Sequence, residues 1–563
     1  MSRRLFLAWV LISKGSFWEL MKKTSRFIIN LQKRTDEISY TDWRDKWVNL
    51  SPTDRSIIEN KINCKEFKTN FSFILKLRDE SFSLLEETVI SLLKQHYPNW
   101  KLYILIKNEK EEIRLKSAGL IKDKRVVVVI VDDSLNITGD FVSPLEPGDL
   151  LHEAALLAVA SSILRNPQTS VVYTDNDHIT LSGEFINPHF KPDWNLDLLL
   201  GMNYLSSFCA YKRPIWEKYS NHFENLHELA INATSALDAS QIVHVPYVLA
   251  SIRVGDSTSH LNPPTVEVKH PLPATLPKVS VLVPTRDKGN MLKRCLLSLK
   301  EITDYPNFEL IIIDHKTTQK KAKKVISEFS KESNVSIMPF YDKFNFSAMI
   351  NEAAKLATGE ILLLLNNDTE IIQKEWMTEL VSHVYRSDVA IAGPLLLFND
   401  HTIQHAGVHP GVGGLMGHGH KHLKSDDPGY FSRLQVAHEV AAVTGACLAI
   451  SVTDWVRFGG LDEKNLPVAY NDIDLCLKVR KAGLKVIFTP HSKLIHHESV
   501  SRGSDQSRNK LKRLQKEAKS MKEKWGNFLE SDPAYNPNLG FEKDSFRMCT
   551  NPRVSSIRKY LGL

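Results

Sequence analysis

The sequence predicts an α/β protein made of two tandem Rossmann-like domains with mostly parallel sheets, the first of them degenerate. Residues 279–315 and residues 71–108 follow the same pattern: an apolar strand, an amphipathic helix, a Tyr-Pro-Asn turn and a second apolar strand. Strand, helix and strand within about 35 residues form a βαβ unit with parallel strands and a right-handed crossover. The segment between the copies, residues 261–277, is rich in proline and predicts a stiff linker.

Composition is ordinary for a globular protein of several domains. Of 563 residues, 42% are hydrophobic and 24% are charged, and a prior of about 150 residues per domain predicts three or four units. The six cysteines lie far apart without a CxxC pair. This spacing argues against structural zinc or a disulfide framework and favours a reducing compartment. No apolar run reaches the roughly 18 residues that span a bilayer, so we expect a cytoplasmic protein.

Basic residues are concentrated at the beginning of the chain. Residues 1–34 hold eight lysines and arginines against one glutamate, while the whole chain has a formal net charge of +7. Apolar residues recur among them at spacings near three and four. A basic amphipathic helix of this kind fits contact with the inner membrane surface, and it equally fits docking on the protein itself. We expect a helical extension over residues 1–70 and no nucleic-acid partner.

The two sheet domains are predicted to cover residues 71–260 and 278–505, with a C-terminal helical extension over residues 506–563. They differ where strands end, which is where open α/β sheets bind ligands. Aligned from the Tyr-Pro-Asn turn, Asp314 of the second copy faces Ile106 of the first. The second domain keeps its polar strand ends, so we expect it to be the active one.

In the first domain, the strand that would carry an acidic motif reads SPLEPGDLL, leaving Asp149. Asp175 and Asp177 imitate such a motif but occur later in the unit. We expect residues 71–260 to form a shortened sheet domain.

Motifs spread over residues 275–505 resemble glycosyltransferase family 2, the inverting nucleotide-sugar enzymes of GT-A fold. In chain order they are VSVLVPTRDK, ELIIIDH, EILLLLNNDTEI, AVTGACLAI, AYNDIDLCLKVRKAG and HHESVSRG. The closest resemblance is to bacterial two-module members that assemble O-antigen, capsule or rhamnan-type polysaccharides. It implies transfer from a nucleoside-diphosphate sugar donor to a glycan or lipid-linked glycan acceptor. The alternative is a catalytically silent glycan-binding or scaffold subunit of a polysaccharide-synthesis complex. We expect the first domain, residues 71–260, to bind acceptor glycan or to support the second domain, and a second transferase with its own donor is the alternative.

The resemblance also implies which residues bind the nucleotide sugar. Asp314 would accept a hydrogen bond from the base, although a turn cap is the alternative role. Asn366 and Asn367 would contact ribose or phosphate through neutral hydrogen bonds. The full set implied for the donor is Pro284, Thr285, Arg286, Asp314, Asn366, Asn367, Thr444 and Gly445.

A divalent cation is expected because the departing diphosphate gains negative charge, which a metal with oxygen ligands stabilises. Asp368 stands in the position of the family's Asp-x-Asp motif and is the implied metal ligand. The resemblance takes a second ligand from His496 or His497, with His496 favoured; a buried histidine bonded to backbone is the alternative. Oxygen ligands suit Mg²⁺ or Mn²⁺, and an imidazole moves the choice toward Mn²⁺.

Asp472 matches the position of the family's catalytic base. A carboxylate there could take the proton from the acceptor hydroxyl. Asp474 lies two residues on, on another face of the helix, and is expected to cap the helix or support the site. A histidine-rich stretch, residues 401–422, suggests zinc only weakly, because no cysteine or carboxylate completes a ligand set. We expect it to form a flap over the acceptor cleft.

Overall fold

The computed structural model describes residues 38–62, 67–77, 82–130, 136–222, 224–254, 263–497, 508–541 and 546–563. The basic element predicted for residues 1–34 lies outside these ranges. Within the described part, each helix is too short or too polar to cross a bilayer.

The first domain contains a nine-stranded sheet in the order β3-β2-β1-β4-β8-β6-β9-β5, with β7 paired to β6. Strands β1 to β4 are parallel to their neighbours within that group. The strands are β1 (Phe71–Lys76), β2 (Trp100–Ile106), β3 (Val126–Ile130), β4 (Phe141–Leu145), β5 (Leu150–Leu151), β6 (Val171–Ile179), β7 (Phe185–His189), β8 (Cys209–Lys212) and β9 (Ile242–Arg253). The helices up to the end of this domain are α1 (Tyr40–Trp47), α2 (Pro52–Ile62), α3 (Phe82–Leu93), α4 (Glu109–Ser117), α5 (Ala155–Arg165), α6 (Leu196–Gly201), α7 (Arg213–Tyr219) and α8 (Leu226–Thr234).

The second domain contains a ten-stranded sheet in the order β12-β11-β10-β13-β20-β15-β21-β14, with β16 on β15 and β19 on β21. Its strands, with the separate β17–β18 hairpin, are β10 (Val279–Thr285), β11 (Phe308–Asp314), β12 (Val335–Pro339), β13 (Ile361–Leu365), β14 (Thr369–Ile371), β15 (Val389–Leu397), β16 (Ile403–His405), β17 (Val408–Pro410), β18 (Met416–His418), β19 (His438–Glu439), β20 (Cys447–Ser451) and β21 (Lys485–His496). Its helices, with those of the C-terminal extension, are α9 (Gly289–Ile302), α10 (Lys320–Phe329), α11 (Phe346–Leu356), α12 (Trp376–Val384), α13 (Val452–Arg457), α14 (Asn471–Lys481), α15 (Arg508–Glu530) and α16 (Ile557–Tyr560).

The two sheets repeat one topology, which confirms the prediction of two tandem α/β domains. Position by position, β1 to β4 correspond to β10 to β13, and β6 and β9 correspond to β15 and β21. The first sheet lacks a counterpart of β19, and among the described residues no helix matches α11 between β3 and β4. This missing helix matters for function, because α11 forms part of the cavity described below.

The position of strand β13 in the middle of the sheet explains its run of leucines. It pairs with parallel β10 on one side and antiparallel β20 on the other, and all five of its residues are buried. Its side chains enter the hydrophobic cores on both faces of the sheet. A strand covered on both faces is expected to be continuously apolar, so its first polar residues mark the sheet edge.

The extensions pack against both domains. Helix α15 places Met521 and Trp525 in the core of the second domain. Ile557, at the start of α16, joins the core of the first domain. Trp43 of α1 packs with Phe190 of the first domain in a separate cluster. The chain on either side of the sheet domains is therefore built into them.

Candidate functional site

The carboxyl ends of β10 and β13 open onto a cavity of about 350 Å³. Neighbouring parallel strands bring their carboxyl ends to the same edge of a sheet. Here the amide of Asn367 donates to Thr285 Oγ1 at 2.8 Å, joining the two strand ends directly. The cavity is lined by Pro284, Thr285, Arg286, Lys288, His315, Phe344, Phe346, Met349, Asn366, Asn367, Asp368, Val468, Lys510 and Arg513. Six of the residues predicted from sequence therefore line one cavity.

Asp368 and His496 form the polar pair at this edge. The Oδ1 atom of Asp368 lies 3.2 Å from Nε2 of His496. The pairing of Thr369 with His496 between β14 and β21 sets this approach. On the other side of the ring, Nδ1 of His496 lies 2.6 Å from Oε1 of Gln404. That oxygen can only accept, so Nδ1 donates to it, and Nε2 is the ring nitrogen that faces Asp368.

His497 belongs to a different cluster. Its Nε2 lies 2.8 Å from Oε2 of Glu370 and 3.2 Å from an Nη1 atom of Arg294 on α9. Its backbone N–H donates to the carbonyl of Asp368 at 2.8 Å. Consecutive residues at the end of a strand point to opposite faces, so only His496 brings its ring to the Asp368 carboxylate.

Asp314 stands at the end of β11 but is absent from the set of described residues that line the cavity. Its Oδ1 accepts the Thr317 backbone N–H at 3.1 Å, which is the turn-capping role considered as the alternative. The next residue, His315, lines the cavity and is buried. Asp287 caps the start of α10, since its Oδ1 accepts the backbone N–H groups of Thr318 and Gln319, each at 2.7 Å.

Of the described residues that line the cavity, four carry basic side chains and one carries a carboxylate. Arg286 and Lys288 follow β10, whereas Lys510 and Arg513 come from the first turns of α15. Sequence reasoning missed the two residues of α15, because charge on most faces of that helix gives no direction. Their spacing of three residues, which places both on one face, was the available signal. The surplus of positive charge suits an anionic ligand.

Aromatic and apolar side chains complete the cavity. Phe344 precedes α11 and is 46% exposed, and its ring centroid lies 5.6 Å from that of His315. Phe346 and Met349, on α11 itself, line the same cavity. An exposed aromatic ring beside a cationic wall offers a surface on which a planar ring could stack.

Asp472 lies at the start of α14 with its carboxylate fixed by backbone donors. Oδ2 accepts the Gly445 N–H at 2.7 Å, and Oδ1 accepts the Ile473 N–H at 2.9 Å. A Cβ at position 445 would lie 3.3 Å from Cβ of Asp472, so glycine permits this approach. Thr444 and Gly445 are outside the described lining of the cavity, yet the next residue, Ala446, accepts the Asn366 N–H at 2.9 Å. The loop therefore joins Asp472 to the end of β13.

Asp474 has a structural role. It is buried and accepts Nε1–H of Trp525 at 2.7 Å, with Nζ of Lys524 2.6 Å away. Glu517 of α15, the helix that also carries Lys524 and Trp525, accepts the backbone N–H groups of Val468 at 3.0 Å and Ala469 at 3.3 Å. Two buried carboxylates thus fix α15 to the segment that carries Asp472, and they explain how α15 reaches the cavity.

The histidine-rich stretch, residues 401–422, is largely buried beside this site. His405 and His409 are each at most 1% exposed. Nδ1 of His405 lies 2.8 Å from Nδ1 of His418, and burial lowers the pKa of His418 to about 4. These rings pack inside the domain, and among the described residues they take part in no cluster of three metal-ligating side chains.

Asp175 and Asp177 of the first domain bind other parts of the chain. Asp177 forms an ion pair with Arg44 and accepts the Tyr40 hydroxyl at 2.6 Å, both on α1. Asp175 accepts from Nε2 of His244 at 2.9 Å and from the amide of Asn536 at 3.0 Å. Both carboxylates are fully buried, so in this structure they anchor the extensions.

Residues 280–425 match the family model described as Glycosyl transferase family 2. Uncharacterized protein y4gI of Sinorhizobium fredii (strain NBRC 101917 / NGR234) is 33% identical over 534 residues, covering 86% of this chain and 59% of that protein. O-antigen biosynthesis protein RfbC of Myxococcus xanthus is 30% identical over 486 residues, covering 77% of this chain and 38% of its own. The chain thus spans less than two thirds of the length of either relative.

Two solved structures are similar to part of this chain. GalNAc-T7 with UDP, GalNAc and Mn²⁺ gives a TM-score of 0.36 at 16% identity, over 43% of this chain and 48% of its own. The mannosyltransferase PcManGT from Pyrobaculum calidifontis, in complex with GDP-Man and Mn²⁺, gives a TM-score of 0.34 at 18% identity, over 45% and 66%.

Proposed function

We propose, from the premise that residues 280–425 are a family 2 glycosyltransferase domain, that this protein is an inverting, metal-dependent glycosyltransferase. It moves a sugar from a nucleoside-diphosphate sugar to a growing cell-surface glycan, on the cytoplasmic side. The observation that carries the proposal is the Asp368–His496 pair at the mouth of a cationic cavity on the ends of two parallel strands. Contact with the membrane surface through residues 1–34 belongs to the same proposal.

The residues present fit a divalent cation. Asp368 supplies carboxylate oxygens, and Nε2 of His496 faces them while Gln404 holds the other ring nitrogen. A hydrogen bond to the ring nitrogen that points away from the metal is the usual support for a metal-binding histidine. Mixed oxygen and imidazole ligands suit Mn²⁺ better than Mg²⁺. When bound, the cation would stabilise the negative charge that develops on the departing diphosphate.

The cavity walls offer matching contacts for the donor. Arg286, Lys288, Lys510 and Arg513 surround it with positive charge, and charge-assisted hydrogen bonds from such groups to phosphate are stronger than neutral ones. Asn366 and Asn367 contribute amide contacts at the strand end. Phe344 and His315 provide ring surfaces for the nucleobase. Asp314 is proposed to support this pocket from its turn rather than by lining it.

Asp472 is the proposed general base. Gly445 and Ile473 each donate to one of its oxygens, which holds the carboxylate in place to take the proton of the acceptor hydroxyl. The acceptor oxygen loses its proton to this carboxylate as it attacks the anomeric carbon. The bond from that carbon to the diphosphate breaks on the opposite face, which inverts the configuration. No covalent intermediate is needed, and Cys447 is buried with its thiol pKa raised by burial.

The first domain is proposed to support this site and to hold the acceptor glycan. Three features favour this role over a second transferase. Its β4 strand ends in Glu146-Pro147-Gly148 instead of amides and an aspartate, it lacks a described counterpart of α11, and its Asp175 and Asp177 are occupied by the extensions.

Turnover of a donor panel with Mn²⁺ tests the proposed function. The full-length protein is expected to release nucleoside diphosphate from one donor, and EDTA is expected to abolish the release. His496→Ala should raise the Mn²⁺ concentration needed for half-maximal activity by about 10-fold or more, because the ion loses a ligand. His497→Ala is the matched control and should stay within about twofold. No turnover with any donor would contradict the proposed enzyme, and a loss confined to His497→Ala would reverse the ligand assignment.

The cations of α15 give a second test on the same assay. Lys510→Ala and Arg513→Ala are each expected to raise the KM for the donor about 10-fold with little change in kcat, because each removes a charge-assisted contact to phosphate. Lys519→Ala is the control, since this residue of the same helix is exposed and its Nζ lies 3.6 Å from Oε1 of Glu523. Equal KM values for the three variants would show that Lys510 and Arg513 do not contact the donor.

A further inference from the structure

A second cluster of metal-ligating side chains lies where the two domains and their linker meet. Asp197 comes from α6 of the first domain, His270 from the linker and His383 from α12 of the second domain. One potential ligand atom of each lies within 4.8 Å of the others. We propose that this cluster binds a divalent transition-metal ion of the Zn²⁺ class and joins the two domains. The inference is independent of the proposed transferase activity.

His383 is arranged as a metal-binding histidine would be. It is 1% exposed, and its Nε2 lies 3.0 Å from Oε1 of Glu379. Its Nδ1 is buried without a hydrogen-bond partner among the described residues. A carboxylate on one ring nitrogen fixes the tautomer and leaves the lone pair of the other nitrogen for a metal. A buried polar atom without a partner is costly, and a bound ion would remove that cost.

Several carboxylates surround the three proposed ligands. Among the described residues, ion pairs around the cluster join four carboxylates to His383, Arg386 and Lys485. The carboxylates are Asp197, Glu379, Asp388 and Glu439, and Arg480 also acts on Glu439. Burial raises the pKa of Glu439 to about 7 despite nearby Lys485. His491 also approaches Glu379. The carboxylates of the cluster would also attract a divalent cation.

Arg386 contacts two of the proposed ligands, and an adjoining cavity gives access to them. Nη1 of Arg386 contacts Asp197 and lies 3.3 Å from Nε2 of His270. Nε and Nη2 bind Asp388 at 3.2 and 3.0 Å, and Nη2 also donates to Oδ2 of Asp197 at 3.3 Å. An entering ion would take over the Asp197 and His270 contacts and leave the guanidinium on Asp388. A cavity of about 550 Å³, lined by His270 and Glu379 among others, reaches the cluster from outside. It offers both an entry path and space for a water as fourth ligand.

Zinc binding to the full-length protein tests this site separately from the donor site. Measurements start from His496→Ala, so that the donor-site ligand is absent. That variant is expected to bind one Zn²⁺ by calorimetry, to gain thermal stability with Zn²⁺ because the ion binds only the folded form, and to show the visible absorption of tetrahedral Co²⁺.

Adding His383→Ala or His270→Ala should lower the Zn²⁺ affinity at least 10-fold and abolish the Co²⁺ absorption. His383→Gln serves where the alanine variant fails to fold. His401→Ala is the control, because this histidine is exposed and lies outside the cluster. Unchanged Zn²⁺ affinity in the His383 and His270 variants, or an equal loss in His401→Ala, would overturn the proposal.

Discussion

Asp472→Asn is expected to lower kcat by about 10²- to 10⁴-fold, the range that a positioned general base contributes. The amide keeps the shape of the carboxylate and can still accept the Gly445 N–H, but it cannot take the acceptor proton. Donor binding should therefore persist, with the donor KM within about threefold. Steady-state kinetics with saturating acceptor, together with donor binding by calorimetry, measures the two quantities separately.

Asp474→Asn is the matched control for this prediction. Asp474 lies on the same helix and bonds Trp525 and Lys524 of α15 instead of the cavity. Its substitution should lower thermal stability and leave kcat per folded molecule nearly unchanged. A kcat for Asp472→Asn within twofold of the unsubstituted protein would contradict the proposal that Asp472 is the general base.

Asp175→Ala is expected to destabilise the protein by about 3–5 kcal/mol, the cost of breaking a buried charge pair by removing one partner. The carboxylate accepts the Lys191 N–H at 2.8 Å in addition to its bonds with His244 and Asn536. Its loss leaves these buried donors without their acceptor. Denaturant unfolding followed by fluorescence measures the change in the free energy of unfolding.

The cost of Asp175→Ala should also depend on pH. Burial lowers the pKa of His244, but Asp175 and Asp193 outweigh burial and raise it to about 9. The folded pKa lies above the unfolded value of about 6.5, so this stabilisation is complete below pH 6.5 and is lost as pH rises through 9. The destabilisation should therefore be larger at pH 6 than at pH 9.5.

Asp193→Ala is the control, because that carboxylate contacts the same ring from a 58% exposed position. It should cost about 1 kcal/mol or less. If Asp175→Ala cost no more than Asp193→Ala, or cost the same at both pH values, the buried pair would not stabilise the first domain in the way described.

The parts of the site on strand ends could be predicted from sequence, because an apolar run that stops at a polar residue marks a sheet edge. Pro284, Thr285, Arg286 and the Asn366–Asp368 turn line the cavity for this reason. The choice between His496 and His497 could not be made in this way. Alternation along β21 says only that the two rings point apart; the pairing with Thr369 decides which one faces Asp368.

Contacts between segments far apart in the chain could not be predicted from the sequence. Asp175 and Asp177 imitate a catalytic motif in their spacing, while their partners are 361 and 133 residues away along the chain. Lys510 and Arg513 belong to a helix whose charges point in most directions, and its orientation depends on two buried carboxylates, Glu517 and Asp474. Local patterns carry no information about such pairings.

The bond between Asp175 and Asn536 has a consequence for biosynthesis. Asn536 is made 361 residues after Asp175, so at 5–20 residues per second the carboxylate waits about 20–70 seconds for this partner. Once β9 has been made, the first domain has all its strands but still holds a buried carboxylate without its amide donor. The first domain therefore becomes fully stable only after the tail emerges from the ribosome, and a chain stopped before Asn536 should be degraded faster than the complete one.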